Sequence, residues 1–134
     1  MKRRKYTERI IFHHSASGPT TTLADIREWH LARNFEDIGY HFVIPCEGKA
    51  ERGRDLHAIG AHANGRNADS IGVCMIGHFG EYSPTDNQIN EAAQLYQGLC
   101  RAYNKKLLIE FHHDQCPGKL LDRAAFAKTL EDTL

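Results

Sequence analysis

Five short runs of residues alternate with helical patterns along the 134 residues of the chain, and all but the third, residues 50–54, are apolar. The apolar runs are rich in β-branched and aromatic residues and end in polar turns, which favours strands. A Glu-Gly-Lys turn joins the second and third runs, which indicates an antiparallel hairpin. The fourth run is the most apolar, so we expect it at the centre of the sheet, and the fifth is typical of a short buried strand. The predicted strands are 10–14, 40–44, 50–54, 70–77 and 107–111.

The spacing of apolar residues predicts two helices between these strands. The first lies near 22–33 behind a capping threonine, and its apolar face includes Trp29, which we expect in the core. The second begins at Ser83 and Pro84, a capping serine followed by proline at the first helical position. It continues to about Tyr103.

A third helix follows the last strand and starts after Asp122, whose side chain suits an N-cap. No repeat or linker interrupts the pattern, so residues 1–134 are predicted to form one domain. The order strand, helix, hairpin, strand, helix, strand, helix predicts an α/β fold. We expect a single central mixed β-sheet of about five strands, flanked by about three α-helices.

The charge balance narrows the class of partner. Lysine plus arginine and aspartate plus glutamate both number 17, so the formal net charge is zero. Nucleic-acid binders usually carry a basic face, so no nucleic-acid partner is expected. The basic start, residues 1–9, precedes no apolar signal segment, and no stretch is long enough to span a bilayer. We therefore expect cytoplasmic synthesis without a signal peptide, and no membrane insertion.

The four cysteines are scattered along the chain, which favours reduced thiols over a disulfide framework. Cys74 lies in an apolar strand and Cys100 in a helical pattern, so both are predicted to be small core residues. Only Cys116 lies beside histidines, and it is therefore the cysteine to consider for chemistry.

Two predicted strands end in a pair of adjacent histidines, His13-His14 and His112-His113, and Cys116 follows the second pair. Strand ends on a sheet cannot drift, so they hold metal ligands well. A catalytic zinc takes three protein ligands of these types and leaves its fourth position for water. Alternation places the two members of each pair on opposite faces, but spacing alone does not choose between them. A structural zinc would need a fourth ligand, which His113 or the aspartate after it would have to supply.

The segment 56–70, LHAIGAHANGRNADS, is long for a loop inside a compact domain, and such loops are usually functional or disordered. Three of its polar side chains suit contacts with a ligand: His62, Asn64 and Asn67. We expect this loop to form a wall that faces the substrate.

Several stretches in order along the chain resemble the zinc amidase family that includes amidase-type phage lysozymes and peptidoglycan recognition proteins. They are FHHSAS, IREWH with DIGYHFVI, GRDLHAIGAHANGRNADSIGVCMIG, FHHD and CPG. Members of this family cleave the amide between N-acetylmuramic acid and L-alanine in the bacterial cell wall. The resemblance covers most of the chain and implies a peptidoglycan hydrolase with bacterial peptidoglycan as its partner.

Within each histidine pair, the resemblance selects the first member. It implies a Zn²⁺ bound by three residues, His13, His112 and Cys116. It also implies that the hydroxyl of Tyr40 bonds the bound water or the oxyanion, although a tyrosine at this place in a strand could also serve only in packing. In the same way, His62 is expected to contact the glycan or peptide. His14 and His113 are left either as groups that bond the metal ligands or as residues that line the core.

One departure from the family pattern concerns the loop before Cys116. Family members have a longer loop here, with a lysine, threonine or similar assisting residue two positions before the cysteine. The matching residue in this chain is Asp114, which is unlike it. Lys119 is predicted to replace the assisting residue in part, and the alternative is that it is only a solvated loop lysine.

The compact domain without a wall-binding repeat resembles a phage or prophage endolysin. We expect a monomer that acts on the cell wall after another factor has opened the membrane. The alternative is a non-catalytic peptidoglycan-binding module of the recognition-protein type, which typically has lost a metal ligand. All three ligand positions are filled here, which favours an enzyme.

Overall fold

In the computed structural model, which describes residues 1–134, five strands form one mixed sheet. The strands are β1 (Arg9–His14), β2 (Phe42–Ile44), β3 (Glu51–Arg52), β4 (Ser70–Met75) and β5 (Leu108–Phe111). Their order across the sheet is β3-β2-β4-β1-β5, so the apolar β4 lies in the middle as predicted. β1 is parallel to β4 and β5, β4 is parallel to β2, and β3 is antiparallel to β2.

Three helices complete the α/β fold, so the predicted fold class is confirmed. They are α1 (Leu23–Ala32), α2 (Asp86–Tyr103) and α3 (Arg123–Glu131), and a short 3-10 turn at Asn67–Asp69 precedes β4. Thr22 caps α1 and Asp122 caps α3, as the sequence predicted. The predicted start of the second helix at Ser83 and Pro84 is wrong.

That second helix, α2, starts at Asp86 because Thr85 is its N-cap. The Thr85 hydroxyl accepts the Gln88 N–H at 3.1 Å, and the Gln88 side chain accepts the Thr85 N–H at 3.0 Å. This reciprocal pair satisfies two N–H groups at the helix end. A serine and proline two residues earlier offered a similar pattern, and only the observed hydrogen bonds distinguish the two.

The two faces of the sheet differ in how much apolar surface they bury. On the α2 and α3 face, 17 buried residues form one hydrophobic cluster, with Phe12 and Phe126 in edge-to-face contact at 4.9 Å. On the α1 face the buried apolar cluster has only 5 residues, Ile26, Ile38, Val43, Cys74 and Ile76. Several histidine and arginine side chains are also buried outside the large cluster, among them His13, His30, His41 and Arg54. Burying polar groups requires hydrogen-bond partners, which makes this face the place to look for a site.

Two burial predictions are wrong for related reasons. Trp29 is 47% exposed, because α1 buries only Ile26 and His30 against its small apolar cluster. The strand at 107–111 is not buried throughout, since β5 forms the edge of the sheet and Leu108 is 49% exposed. Both errors have the same cause. An apolar side chain in a periodic pattern was taken as buried, but such side chains are also found exposed to solvent.

The parallel strands bring the two histidine pairs to the same edge of the sheet. In β1, Phe12 pairs with Val73 of β4 and with Phe111 of β5. The residues that follow this pair, His13 and His112, therefore lie side by side at the same edge of the sheet. The carboxyl ends of parallel strands are where open α/β sheets place their ligands. None of the helices combines the length and hydropathy that crossing a membrane requires.

Candidate metal centre and active site

His13, His112 and Cys116 meet at this edge of the sheet. Their potential ligand atoms all lie within 4.8 Å of one another, and the Cys116 Sγ lies 3.8 Å from the His13 Nδ1. His13 is 1% exposed, whereas His112 and Cys116 are partly exposed. The three residues that the sequence predicted as metal ligands are thus brought together, from two strand ends and the loop after the second.

One distance within this group is close to that of a tetrahedral zinc site. Zn–N distances near 2.0 Å and Zn–S distances near 2.3 Å place tetrahedral N and S ligands about 3.6 Å apart. The 3.8 Å between the His13 Nδ1 and the Cys116 Sγ is close to that value. The group has three members, and neither His113 nor Asp114 belongs to it. Three protein ligands with one open position are typical of a catalytic rather than a structural zinc site.

Burial keeps the two histidines of this group in the neutral form that a metal requires. It lowers the pKa of His13 well below its ordinary value, and the nearby His62 and His112 lower it further. Burial also lowers the pKa of His112, so both imidazoles are neutral. Burial raises the pKa of the Cys116 thiol, so the thiol keeps its proton unless a bound cation stabilises the thiolate.

Tyr40 stands beside the ligand group. Its ring lies 5.0 Å from the His13 ring and 5.4 Å from the His30 ring, centre to centre. Burial raises the pKa of Tyr40 well above its ordinary value, and the thiols of Cys74 and Cys116 raise it further. The phenol therefore keeps its proton and is able to donate a hydrogen bond to a group near the three ligands.

Two adjoining cavities flank Tyr40 and His112. The larger, of about 630 Å³, is also lined by Cys116, Asp114 and Lys119. The smaller, of about 400 Å³, holds the three loop residues predicted to contact substrate, His62, Asn64 and Asn67. Because both cavities share Tyr40 and His112, one extended molecule in the two cavities would pass over the ligand group.

The short loop before Cys116 is held by its own backbone. His113 and Cys116 exchange backbone hydrogen bonds of 2.9 and 3.1 Å, and the Arg123 guanidinium donates to the His113 carbonyl at 2.6 Å. Gly118 follows with φ +95°, and a Cβ there would lie 2.5 Å from the Phe79 carbonyl carbon. Glycine is therefore required where the segment after Cys116 packs against the loop that follows β4.

His14, the second member of the first pair, lies beside the ligand group but outside it. Its Nδ1 accepts the Phe79 backbone N–H at 3.0 Å, and its carbonyl oxygen lies 3.8 Å from the Cys116 Sγ. Burial lowers the pKa of His14 to about 4. Its ring thus fixes the loop after β4, while His113 is exposed and its Nδ1 accepts the Gln115 N–H.

Arg66 is a site residue that the sequence analysis missed. Its guanidinium donates to the carbonyl oxygens of Phe111, at 3.3 Å, and of His112, and it forms an ion pair with Glu110 at 3.1 Å. It therefore fixes the backbone that presents the His112 ring. A signal for it existed, since a glutamate inside the apolar run at 107–111 needs a cation nearby.

The loop residues predicted to bind substrate have different surroundings. Asn64 is exposed on the wall of the smaller cavity. Asn67 uses its Oδ1 to accept the backbone N–H groups of His62 and Ala63, at 3.0 and 2.9 Å. His62 lines the cavity and also lies 2.9 Å from His13, measured between its Nδ1 and the His13 Nε2. Their contact with substrate stays a prediction.

Known proteins have sequences and folds similar to those of this chain. The sequence profile of the N-acetylmuramoyl-L-alanine amidase family matches residues 3–119. The endolysin of Enterobacteria phage T3 is 37% identical over 123 residues, which cover 87% of this chain and 81% of the phage protein. The structure of the endolysine N-acetylmuramoyl-L-alanine amidase LysCS from Clostridium intestinale superimposes with a TM-score of 0.90 at 30% identity, covering 97% of this chain and 87% of that one. Peptidoglycan-recognition protein 2 of Holotrichia diomphalia is 38% identical over 90 residues, 60% of this chain and 48% of that protein.

The fold and the family match define an α/β protein of the amidase class, and the His-His-Cys group is its candidate metal site. The chain belongs to the N-acetylmuramoyl-L-alanine amidase family. The resemblance noted from the sequence is thereby confirmed, and so is the predicted function as a peptidoglycan amidase.

Proposed function

We propose that the protein is a zinc-dependent amidase that cleaves the bond between N-acetylmuramic acid and L-alanine in bacterial peptidoglycan. The observation that carries the zinc dependence is the convergence of His13, His112 and Cys116, with a Sγ to Nδ1 distance close to that of a tetrahedral site. These three residues would hold the metal. When bound there, zinc supplies a water whose pKa is lowered toward ~7 and a Lewis acid for the scissile carbonyl.

The residues around the metal ligands have separate tasks. The phenol of Tyr40, which keeps its proton, donates a hydrogen bond to the oxygen that becomes negative when the amide carbonyl is attacked. The glycan and the peptide stem extend to opposite sides of Tyr40, one in each of the two cavities. Asn64, with His62 and Asn67 on the same wall, contacts the substrate in the smaller cavity.

Lys119 is the candidate for the family's assisting residue. It lines the larger cavity together with Asp114, which stands at the matching sequence position. An ammonium group there would stabilise negative charge that develops on the tetrahedral intermediate. Asp114 carries the opposite charge and would not, so Lys119 is the residue that we assign to this task.

A non-catalytic recognition module is the alternative function. The relatives include a peptidoglycan-recognition protein, but this chain keeps all three candidate ligand residues and brings them together. We therefore favour the enzyme. The similarity to phage endolysins supports an endolysin. We further propose that it is a monomer and that it reaches the wall once another factor has opened the membrane. No nucleic-acid partner is part of this proposal.

The experiment that tests this function identifies the bond that is cut. Purified sacculi are digested with the wild-type protein, and the products are analysed by mass spectrometry and by labelling of new amino termini. The proposal predicts new L-alanine amino termini and intact glycan strands, abolished by a chelator and restored by Zn²⁺. New reducing sugar ends, or tight binding to sacculi without any cleavage, would contradict it.

A further inference from the structure

We propose that His62 is a positioning residue for the ligand His13, acting through a directional hydrogen-bond chain that runs from His13 through His62 and Ser70 to the backbone of Arg66. This inference rests on the proposed zinc site. It differs from the role predicted for His62 from the sequence, which was contact with the glycan or peptide.

Both ring nitrogens of His13 have neighbours in the structure. Its Nδ1 faces the Cys116 Sγ at 3.8 Å, and its Nε2 lies 2.9 Å from the Nδ1 of His62. A neutral imidazole that offers its Nδ1 to a metal carries its proton on Nε2. That N–H then needs an acceptor, and His62 Nδ1 is the atom placed to accept it.

The same logic continues one step further. A His62 ring that accepts at Nδ1 carries its own proton on Nε2, which lies 3.2 Å from the Ser70 Oγ. The Ser70 hydroxyl in turn donates to the Arg66 carbonyl at 2.7 Å. A carbonyl can only accept, so the chain has a fixed end and one direction. The backbone of Arg66 thereby selects the tautomer that leaves the His13 Nδ1 free for a metal.

The ring of His62 is itself fixed in place. Its backbone N–H donates to the Asn67 Oδ1 at 3.0 Å, which closes the loop around it. Beneath the ring lies Gly72 of β4, where a Cβ would come within 2.5 Å of the His62 ring. Any larger residue there would displace His62 from His13. This arrangement is suited to orienting another side chain, since a group that only touched substrate would not need such support.

Arg66 links the chain to the second histidine ligand. The Arg66 carbonyl oxygen is the last acceptor of the chain that begins at His13. The Arg66 guanidinium donates to the carbonyl oxygen of His112. The loop from His62 to Ser70 thus holds both ligand histidines, one through its ring and the other through its backbone. Groups that orient metal ligands in this way typically contribute 10- to 100-fold to metal affinity, so we expect about that effect here.

The test uses two conservative variants that separate the ring nitrogens of His62. His62→Asn keeps an acceptor near the place of Nδ1, toward His13. His62→Gln puts its amide near the place of Nε2, toward Ser70, and leaves His13 without an acceptor. His62→Ala removes both groups. His57→Ala is the matched control, because this exposed histidine of the same loop contacts neither ligand.

Zinc affinity is measured by competition with a chromophoric chelator, and thermal unfolding of each zinc-free variant checks its fold. We expect His62→Ala and His62→Gln to lose about 10- to 100-fold in affinity, His62→Asn to lose much less, and His57→Ala to match the wild type. In long-range ¹H–¹⁵N spectra of the zinc-loaded wild type, the His13 ring should carry its proton on Nε2.

Three results would overturn the inference. They are equal zinc affinity in wild type and His62→Ala, equal losses in the Asn and Gln variants, or a His13 proton on Nδ1 in the zinc-loaded protein. A His62→Ala protein with unchanged zinc affinity and a raised KM for sacculi would return His62 to substrate contact. Failure of the proposed function looks different, because the wild type itself would then bind no zinc.

Discussion

The two histidine pairs have the same sequence pattern and opposite surroundings. The first pair ends β1, inside the sheet, and His13 and His14 are 1% and 6% exposed. The second pair follows the edge strand β5, where His112 is partly exposed and His113 is exposed. His13 is bounded on either side by Cys116 and His62, whereas His112 depends on the Arg66 guanidinium that holds its carbonyl oxygen.

This difference indicates how the site is divided. The β1 side is part of the hydrophobic and hydrogen-bonded interior, so its geometry is set when the chain folds. The β5 side consists of a short loop and an edge strand, whose backbone hydrogen bonds face solvent and open more readily. A metal ion would join the two sides. We therefore expect changes on the β1 side to affect stability as well as zinc, and changes on the β5 side to affect mainly zinc.

The largest effect should come from removing either histidine ligand. His13→Ala and His112→Ala should each abolish zinc binding and lower amidase activity by ~10³-fold or more. Only His13→Ala should also lower the free energy of unfolding of the zinc-free protein, by about 2–4 kcal/mol, because it leaves a cavity and an unpaired His62 nitrogen. Denaturant unfolding compares the two, and equal destabilisation by both substitutions would show that the sides do not differ.

Tyr40→Phe should leave zinc content and the fold unchanged and lower the rate by about 10²-fold, the effect of removing one donor to the oxyanion. The hydroxyl is the only group lost, so packing against His13 and His30 is retained. Steady-state cleavage of sacculi measures the loss. A rate equal to that of the parent would reduce Tyr40 to a packing residue.

The interior side should also be sensitive to acid through His41. Burial lowers the pKa of His41 to about 4, and the charges of Arg4 and Arg54 contribute. Its Nδ1 accepts the Gly72 N–H at 3.0 Å, and its Nε2 lies 2.8 Å from the Ala58 carbonyl. The folded pKa is below the unfolded value of about 6.5, so the stabilisation is complete above that pH and is lost as the pH falls toward about 4.

By about pH 5 this single group should cost about 2 kcal/mol of the free energy of unfolding. Denaturant unfolding of the zinc-free protein at several pH values measures the slope. His41→Gln should make the slope shallower by the share of His41, since glutamine does not titrate whereas His13 and His14 still do. An identical slope in the parent and the His41→Gln variant would remove His41 from the explanation.

Arg66→Ala should show that a change on the β5 side affects zinc affinity more than stability. Loss of its guanidinium frees the His112 carbonyl and leaves Glu110 with Arg9 as its remaining ion-pair partner. We expect zinc affinity to fall about tenfold with a smaller change in stability. Arg27→Ala, which breaks the ion pair with Asp37, serves as the control and should leave zinc affinity unchanged. An equal affinity in parent and Arg66→Ala would show that His112 needs no such support.

The smallest effect is expected at Lys119, which is exposed on the wall of the larger cavity. Lys119→Ala should slow cleavage a few-fold, the scale of a partly screened charge, and leave zinc content unchanged. Lys119→Arg should restore part of the rate because it keeps the charge. Cleavage by Lys119→Ala at the parental rate would make this residue an ordinary surface lysine.

The sequence predicted the strands and the helix order, because these depend on local patterns. It predicted the meeting of the two histidine pairs from the shared strand-end motif and from the family resemblance. Alternation along β1 placed Ile11 and His13 on one face, and parallel pairing then brought His112 to the same edge. The choice of His13 and His112 within their pairs came from family resemblance and not from spacing. Helix and strand ends were less accurate, as at Thr85, where two capping patterns compete within three residues.

The contacts that Arg66 and His62 make with distant segments were not predicted. Arg66 reaches the carbonyl of a residue 46 positions away, and His62 reaches a ring 49 positions away. Such pairs leave no periodic signal in a single sequence. Exposure was misjudged in the same way, since the position of Trp29 at the surface depends on how little apolar area α1 covers.

The metal content of the purified protein tests the central claim most directly. Zinc per chain is measured by mass spectrometry of the metal for the wild type and for His13→Ala, His112→Ala and Cys116→Ser, each checked for folding by circular dichroism. If His13, His112 and Cys116 bind one zinc together, we expect one zinc per chain in the wild type and a loss of zinc in all three variants. A stoichiometric zinc that survives both His112→Ala and Cys116→Ser would contradict it.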